Sequence, residues 1–210
     1  MKSVSSIVVF ILLANFSGSN RMYAQGGKEL DAKAEAFLKN HKRDWHDMNV
    51  PFDDGKVLHD LIVGHGYTSA LEIGTSTGHS TIWLAWAMSK TGGKVITIEL
   101  NERRHKQALK NIEEAGLSAF VDARLGNAHD MVKQLPGPFD FVFSDADKDW
   151  YKQYFMDVHP KLKSGGCFTT HNVTDGQADT DFLDYVQNHK DYTTTIDRTS
   201  RAGIMISYKK

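Results

Sequence analysis

Gly74 and Gly78 bracket the turn that leaves the apolar segment Ala70-Leu-Glu-Ile73, and a carboxylate, Glu99, closes the next apolar segment about twenty residues further on. A glycine turn leaving a strand lets backbone approach a ligand where a Cβ would collide. A carboxylate at the end of the following strand can accept both hydroxyls of a ribose. The pair points to a nucleoside site at the mouth of an α/β sheet. Three residues separate the glycines of Gly74-Thr-Ser-Thr-Gly78. This is not the G-x-G-x-x-G spacing that seats a pyrophosphate on a helix N-terminus. The plainer alternatives are a tight strand-to-helix turn for the glycines and, for Glu99, a carboxylate favouring the start of a helix at residue 102.

Those residues need elements to hold them. Leu30, Ala34, Phe37 and Leu38 recur at helical spacing, as do Val57, Leu58, Leu61 and Ile62 ahead of Gly64. Strand and helix patterns then alternate: strand 70–73, helix 79–90, strand 94–99, helix 102–115, strand 121–125 and a short helix from Ala128. Strand 139–144, helix 148–158, strand 166–171 and helix 179–189 follow, and the chain ends with strands 192–197 and 203–208. Alternation of this kind predicts a doubly wound, mostly parallel seven-stranded sheet with helices on both faces. The last two strands are separated by five residues, too few for a parallel crossover of a dozen or more, so they pair antiparallel. A parallel sheet finished by an antiparallel hairpin is the arrangement of class I methyltransferases.

With 210 residues, 40% of them hydrophobic and 24% charged, the chain holds one domain with a real core. Twenty-five basic against 26 acidic residues give a net charge of −1 with no long run of one sign, so nothing marks a nucleic-acid partner. Cys167 is the single cysteine, which excludes an internal disulfide, and its apolar neighbours predict burial. Lys2, the apolar run Ile7 to Ala14 and the small residues around Tyr23-Ala-Gln-Gly-Gly resemble a secretory leader over residues 1–25, cut near Ala24 to Gly26. Eight apolar residues are too few to span a bilayer, which takes about 20. The expectation is an exported, periplasmic or secreted domain at 26–210 with no stable membrane anchor once the leader is removed, or a cytoplasmic one if the leader does not function. Trp83 and Trp86, three residues apart on one helix, read as packing. His41, His46, His59 and His65 lack ligand spacing and read as surface or locally hydrogen-bonded groups.

Five ordered motifs sharpen this picture: Trp45-His-Asp-Met-Asn-Val50, Leu71-Glu-Ile-Gly-Thr-Ser-Thr-Gly-His-Ser80, Ile96-Thr-Ile-Glu99, Gly126-Asn-Ala-His-Asp130 and Phe141-Val-Phe-Ser-Asp-Ala-Asp-Lys-Asp-Trp-Tyr151. From about Asp44 to the C-terminus the chain resembles the catechol and caffeoyl-CoA O-methyltransferase family. The resemblance implies a single-domain enzyme that methylates a phenolic hydroxyl from S-adenosylmethionine, usually with a divalent metal such as magnesium or manganese. It assigns Glu72, Gly74, Thr75 and Ser80 to the methionine end of the cofactor and Glu99 to its ribose. Ala128 and neighbouring His129 fall beside adenine, Val50 over the methionine portion, and Asp145 between cofactor and metal.

In-line transfer of methyl from sulfonium to oxygen requires alignment and a nucleophile that is at least partly deprotonated. A phenol with a pKa of about 10 is mostly protonated at neutral pH. Lys148 matches the family's general base; alone it would read as a solvated lysine at a helix start. At the metal the sequence departs from its relatives: the family's Asp-Asn pair after the fifth strand is here His171-Asn172. Asp145, His171 and Asn172 remain able to converge at adjacent strand ends. Exchanging a carboxylate for imidazole removes a hard oxygen, disfavours magnesium and tolerates manganese, iron, nickel, cobalt or zinc. Two other roles stay open for His171, as a base in a metal-free site or as a strand-end residue. Short loops around the expected acceptor pocket favour a small phenol over a coenzyme-A ester. Family members often form homodimers, although no exposed apolar stripe argues for one here.

Overall fold

The computed structural model describes the backbone of residues 14–46 and 48–210 and the side chains from residue 27 onward, Asp47 excepted. The expected leader lies outside the described residues over 1–13. Its remainder is backbone of the first helix, α1 (Ala14–Asn40), which therefore begins earlier than the apolar spacing from Leu30 predicts. The other helices are α2 (Phe52–His65), α3 (His79–Thr91), α4 (Glu102–Glu114), α5 (Ala128–Gln134), α6 (Tyr151–Val158) and α7 (Thr180–Gln187). The strands are β1 (Ser69–Ile73), β2 (Lys94–Glu99), β3 (Val121–Leu125), β4 (Phe139–Ser144), β5 (Leu162–His171), β6 (Tyr192–Asp197) and β7 (Ile204–Lys209).

They form one sheet in the order β3-β2-β1-β4-β5-β7-β6. The first five strands are mutually parallel, and β7 runs antiparallel between β5 and β6, as the five-residue connection requires. Central strand β4, Phe-Asp-Phe-Val-Phe-Ser, is buried along its whole length, which accounts for its nearly unbroken apolar run. Edge strand β6 carries three consecutive threonines and alternates with solvent.

Two apolar layers cover the sheet. On one face α1, α2 and α3 pack through Phe37, Leu38, Leu58, Ile62, Leu84 and Met88; on the other, α5, α6 and α7 pack through Val132, Tyr154, Phe155, Val158, Phe182 and Val186. Helix ends follow local chemistry: Gly66 and Gly92 close α2 and α3 in the left-handed region. Asn101, Asn127 and Asp179 cap α4, α5 and α7 with side-chain oxygens. The helix expected from residue 148 starts as a short 3-10 turn, Lys148–Trp150, because Asp147 caps the amide of Asp149 before α6 proper begins. Strand β5 begins four residues earlier than the sequence pattern predicts, at Leu162, with an irregularity opposite β4 between Phe139 and Phe141.

Cys167 is buried, and burial raises its thiol pKa well above the usual range. Trp83 is in the core, and Trp86 packs against it while donating to Asp31. His41 and His65 bond the carbonyls one turn back, and His59 bonds Asp60. Among the described residues no helix is long and apolar enough to cross a membrane.

Candidate functional site

The C-terminal ends of β1, β2, β4 and β5 share one rim, and the residues expected to do chemistry gather there. Gly74 adopts φ +104, and a Cβ on it would lie 2.8 Å from the carbonyl oxygen of Asp145. Its glycine is therefore demanded by the neighbouring strand end as well as by any ligand. The turn is braced from several sides. Asn49 Nδ2 donates to Thr77 Oγ1 at 2.9 Å, Asn111 Nδ2 donates to the Thr77 carbonyl at 2.8 Å, and Thr75 and Thr97 hydroxyls meet at 2.5 Å.

Beneath the turn sits Glu72, fully buried. Its Oε2 accepts from Thr97 Oγ1 at 2.5 Å and from Thr81 Oγ1, while Oε1 has no hydrogen-bond partner. Burial pushes its carboxyl up to about 7, against the hydroxyls of Ser80, Thr81 and Thr97, which pull it down. Glu72, Thr75 and Ser80 are buried below the turn, and Val50 is buried with its carbonyl accepting from His79 Nδ1 at 2.8 Å. None of these four lines the cleft, which the turn reaches through Gly74 and Ser76.

That cleft, about 220 Å³, runs from Met48 and Gly74 past Glu99 to Ala128, His129 and Asp145. Glu99 is held by two backbone amides, Ser76 N–H on Oε2 at 2.7 Å and Asn101 N–H on Oε1 at 2.8 Å. Each oxygen keeps a lone pair for a ligand hydroxyl. At the far end the His129 ring stacks on Trp150, with centroids 3.6 Å apart, and its Nε2 lies 3.1 Å from Asp147 Oδ2. Sequence reasoning did not find Met48, Ser76, Leu100, Arg104 or Asn127 in this lining. A leucine directly after the strand-ending Glu99 was the available signal. Met48, Ser76 and Asn172 have positive φ, at 55, 49 and 58, and among the described residues they are the non-glycines that do. All three flank the site, where strained backbone is commonly kept.

Beside the cleft, Asp145 divides its oxygens. Oδ1 accepts from Lys148 Nζ at 2.5 Å and lies 3.4 Å from the Tyr151 hydroxyl, while Oδ2 is 3.4 Å from His171 Nδ1. His171 Nδ1 is also 3.1 Å from Asn172 Oδ1, and Asn172 Nδ2 donates to Asp175. On the other side of the ring, His171 Nε2 lies 2.7 Å from Asp54 Oδ2, a partner 117 residues away that the sequence reading missed. Burial pulls the imidazole pKa down, but hydrogen bonds and charge from Asp145 and Asp54 outweigh it and raise it to about 9.

A family model described as O-methyltransferase matches residues 28–190. The chain belongs to this O-methyltransferase family. It is 30% identical over 186 residues to a caffeoyl-CoA O-methyltransferase of Petroselinum crispum, covering 83% of this chain and 77% of that one. A catechol O-methyltransferase of Niastella koreensis is 42% identical over 130 residues, spanning 60% of this chain and 58%, less than two thirds, of the relative. Two solved structures superpose with TM-scores of 0.72 at 29% identity. One is an O-methyltransferase from Bacillus cereus in complex with SAH (85% of this chain, 91% of that one), the other TomG from Streptomyces achromogenes in complex with SAM (87% and 90%).

Within this O-methyltransferase, Asp145, His171 and Asn172 are the residues that could hold a divalent ion. His171 Nδ1 lies 3.1 Å from Asn172 Oδ1 and 3.4 Å from Asp145 Oδ2, so one imidazole nitrogen and two oxygens are offered. A proton on Nδ1 and a cation compete for that same place.

Proposed function

We propose that this enzyme transfers the methyl group of S-adenosylmethionine to a phenolic hydroxyl of a small, catechol-like acceptor, with a divalent ion held by Asp145, His171 and Asn172. The observation that carries the reading is the continuity of two features. Asp145 lines the Glu99 cleft and also holds Lys148 Nζ at 2.5 Å, so a nucleoside site and a proton-handling site share one wall.

On this reading Glu99, fixed by the Ser76 and Asn101 amides, accepts both ribose hydroxyls, and the Ala128 and His129 end receives the adenine. The turn at Gly74 and the carboxylate of Asp145 favour the cationic methionine end, and Glu72 adds to this once it has lost its proton, above about pH 7. Lys148, acting as the neutral amine after its ammonium has released a proton to solvent, takes the phenolic proton, and with 22% of its side chain exposed it can exchange that proton with solvent. The phenolic oxygen then forms its bond to the methyl carbon as the carbon–sulfur bond breaks, and the electron pair stays on sulfur. When bound, the ion supplies Lewis-acid stabilisation of the phenolate. Export of the domain after loss of residues 1–25 is part of the same proposal.

Calorimetry and a methylation assay test it together. S-adenosylhomocysteine should bind, and Glu99→Gln should weaken it by 1.5–3 kcal/mol, roughly tenfold or more, because a charged acceptor of two hydrogen bonds is lost. Lys148→Ala should lower kcat on catechol by about 10²–10⁴. No binding at millimolar ligand, or unchanged turnover in Lys148→Ala, would sink the reading. Turnover indifferent to a chelator would favour His171 acting without a metal.

A further inference from the structure

Asp54 is fully buried and untouched by the mechanism above. It sits in the first turn of α2, where the helix dipole favours a carboxylate. An unpaired carboxylate in such a place costs several kcal/mol, so its partners matter. Two elements meet its Oδ2, while Oδ1 has no hydrogen-bond partner among the described residues. His171 at the end of β5 approaches Asp54 Oδ2 at 2.7 Å, and Ser200 Oγ, from the β6–β7 connection, donates to the same oxygen at 2.7 Å. Ser200 is itself fixed, since its Oγ accepts from the amides of Ala202 and Gly203 at 3.2 and 3.3 Å. The imidazole thus has one nitrogen tied to a clamped carboxylate and the other turned to Asp145 and Asn172.

We propose that Asp54 is the positioning residue of the metal site: by accepting from Nε2–H it leaves the Nδ1 lone pair facing Asp145 Oδ2 and Asn172 Oδ1, and so selects a nitrogen-tolerant transition ion over magnesium. This rests on the reading that an ion is held there. A carboxylate behind a ligating histidine fixes its tautomer and ring orientation and raises its basicity, and its loss typically costs 10–100-fold in metal affinity. Magnesium, bound through oxygens and water, gains little from such a device. Asp54 supplies the second negative charge from behind the imidazole, and the ligand shell keeps its nitrogen.

The test is direct metal binding by the full chain, measured as Co²⁺ and Mg²⁺ titrations and as nitrogen coupling in pulsed EPR with Cu²⁺. All variants carry His189→Ala, because His159, His189 and Asp191 form another cluster among the described residues able to hold an ion. Thermal shift by S-adenosylhomocysteine serves as the fold control. Co²⁺ should bind more tightly than Mg²⁺, and bound Cu²⁺ should show imidazole coupling that His171→Asp abolishes. Asp54→Leu should weaken Co²⁺ about 10–100-fold with a smaller effect on Mg²⁺, collapsing the preference. Asp54→Asn, which keeps an acceptor, and Ser200→Ala, which frees the carboxylate, should lose less; they carry the test if the leucine variant does not fold. In the His171→Asp background, Asp54→Asn should no longer weaken Co²⁺. Wild-type Co²⁺ affinity and Co²⁺/Mg²⁺ ratio in both Asp54 variants would overturn the role of Asp54 while leaving the metal site standing. Failure of the parent to bind any divalent ion would overturn both.

Discussion

At the residue scale the most exacting group is Glu72, a carboxylate with one orphaned oxygen under a strained turn. Its folded-state pKa of about 7 lies above the ordinary 4.5. The unfolded chain gives up this proton near 4.5 and the folded chain holds it to about 7, so the group's contribution is intact below 4.5. That contribution declines as pH rises to about 7 and is level above. Glu72→Gln keeps an oxygen to accept from Thr81 and Thr97 and removes the titration. Its denaturant midpoint should fall less than wild type's between pH 5 and 7, and parallel curves would show that Glu72 does not titrate there. The sequence exposed Glu99, Asp145 and Lys148 because they end strands or follow them directly. It could not show that Glu72, Thr75 and Ser80 are buried rather than lining the cleft, because that depends on turn dihedrals such as φ +49 at Ser76, which leave no periodic trace.

Elements explain why the rim is rigid. Helices α2 and α3 approach so closely that a Cβ on Gly55 would lie 2.1 Å from Cδ1 of Trp83. Trp83 is nearly fully buried and donates its Nε1 to His79 Nε2 at 3.2 Å, so it has nowhere to yield. Gly55→Ala would gain about 1 kcal/mol in helix propensity, yet overpacking of this kind costs about 1–3 kcal/mol and occasionally more. A lowered melting temperature is expected, and a raised one would show that the two helices can separate. This contact also controls the site, since α2 carries Asp54 and the α3 start carries the turn. Strand and helix identities were legible from periodicity throughout. Boundaries shifted where capping decided them, as at Asp147, or where a strand continued into polar residues, as at Lys163-Ser-Gly-Gly166.

For the whole molecule, the described part of α1 joins the core through a few residues. Leu30 is partly buried, Ala34, Phe37 and Leu38 are buried, and Asp31 accepts from Trp86 and Lys90. If residues 1–25 are a leader removed on export, as proposed above, a chain lacking them should lose less than about 1 kcal/mol, less than about 2–4 °C in melting temperature, and bind S-adenosylhomocysteine unchanged. A larger loss would assign those residues to the fold. The sequence by itself determined the α/β class, the antiparallel finish, the turn and its distant glutamate, because these follow from local periodicity, glycine conformation and connection length. Tertiary structure alone decided what stands behind His171. Asp54, His171 and Ser200 come from a helix, a strand end and a hairpin connection far apart in the chain, and only the closing of the sheet against α2 makes them neighbours.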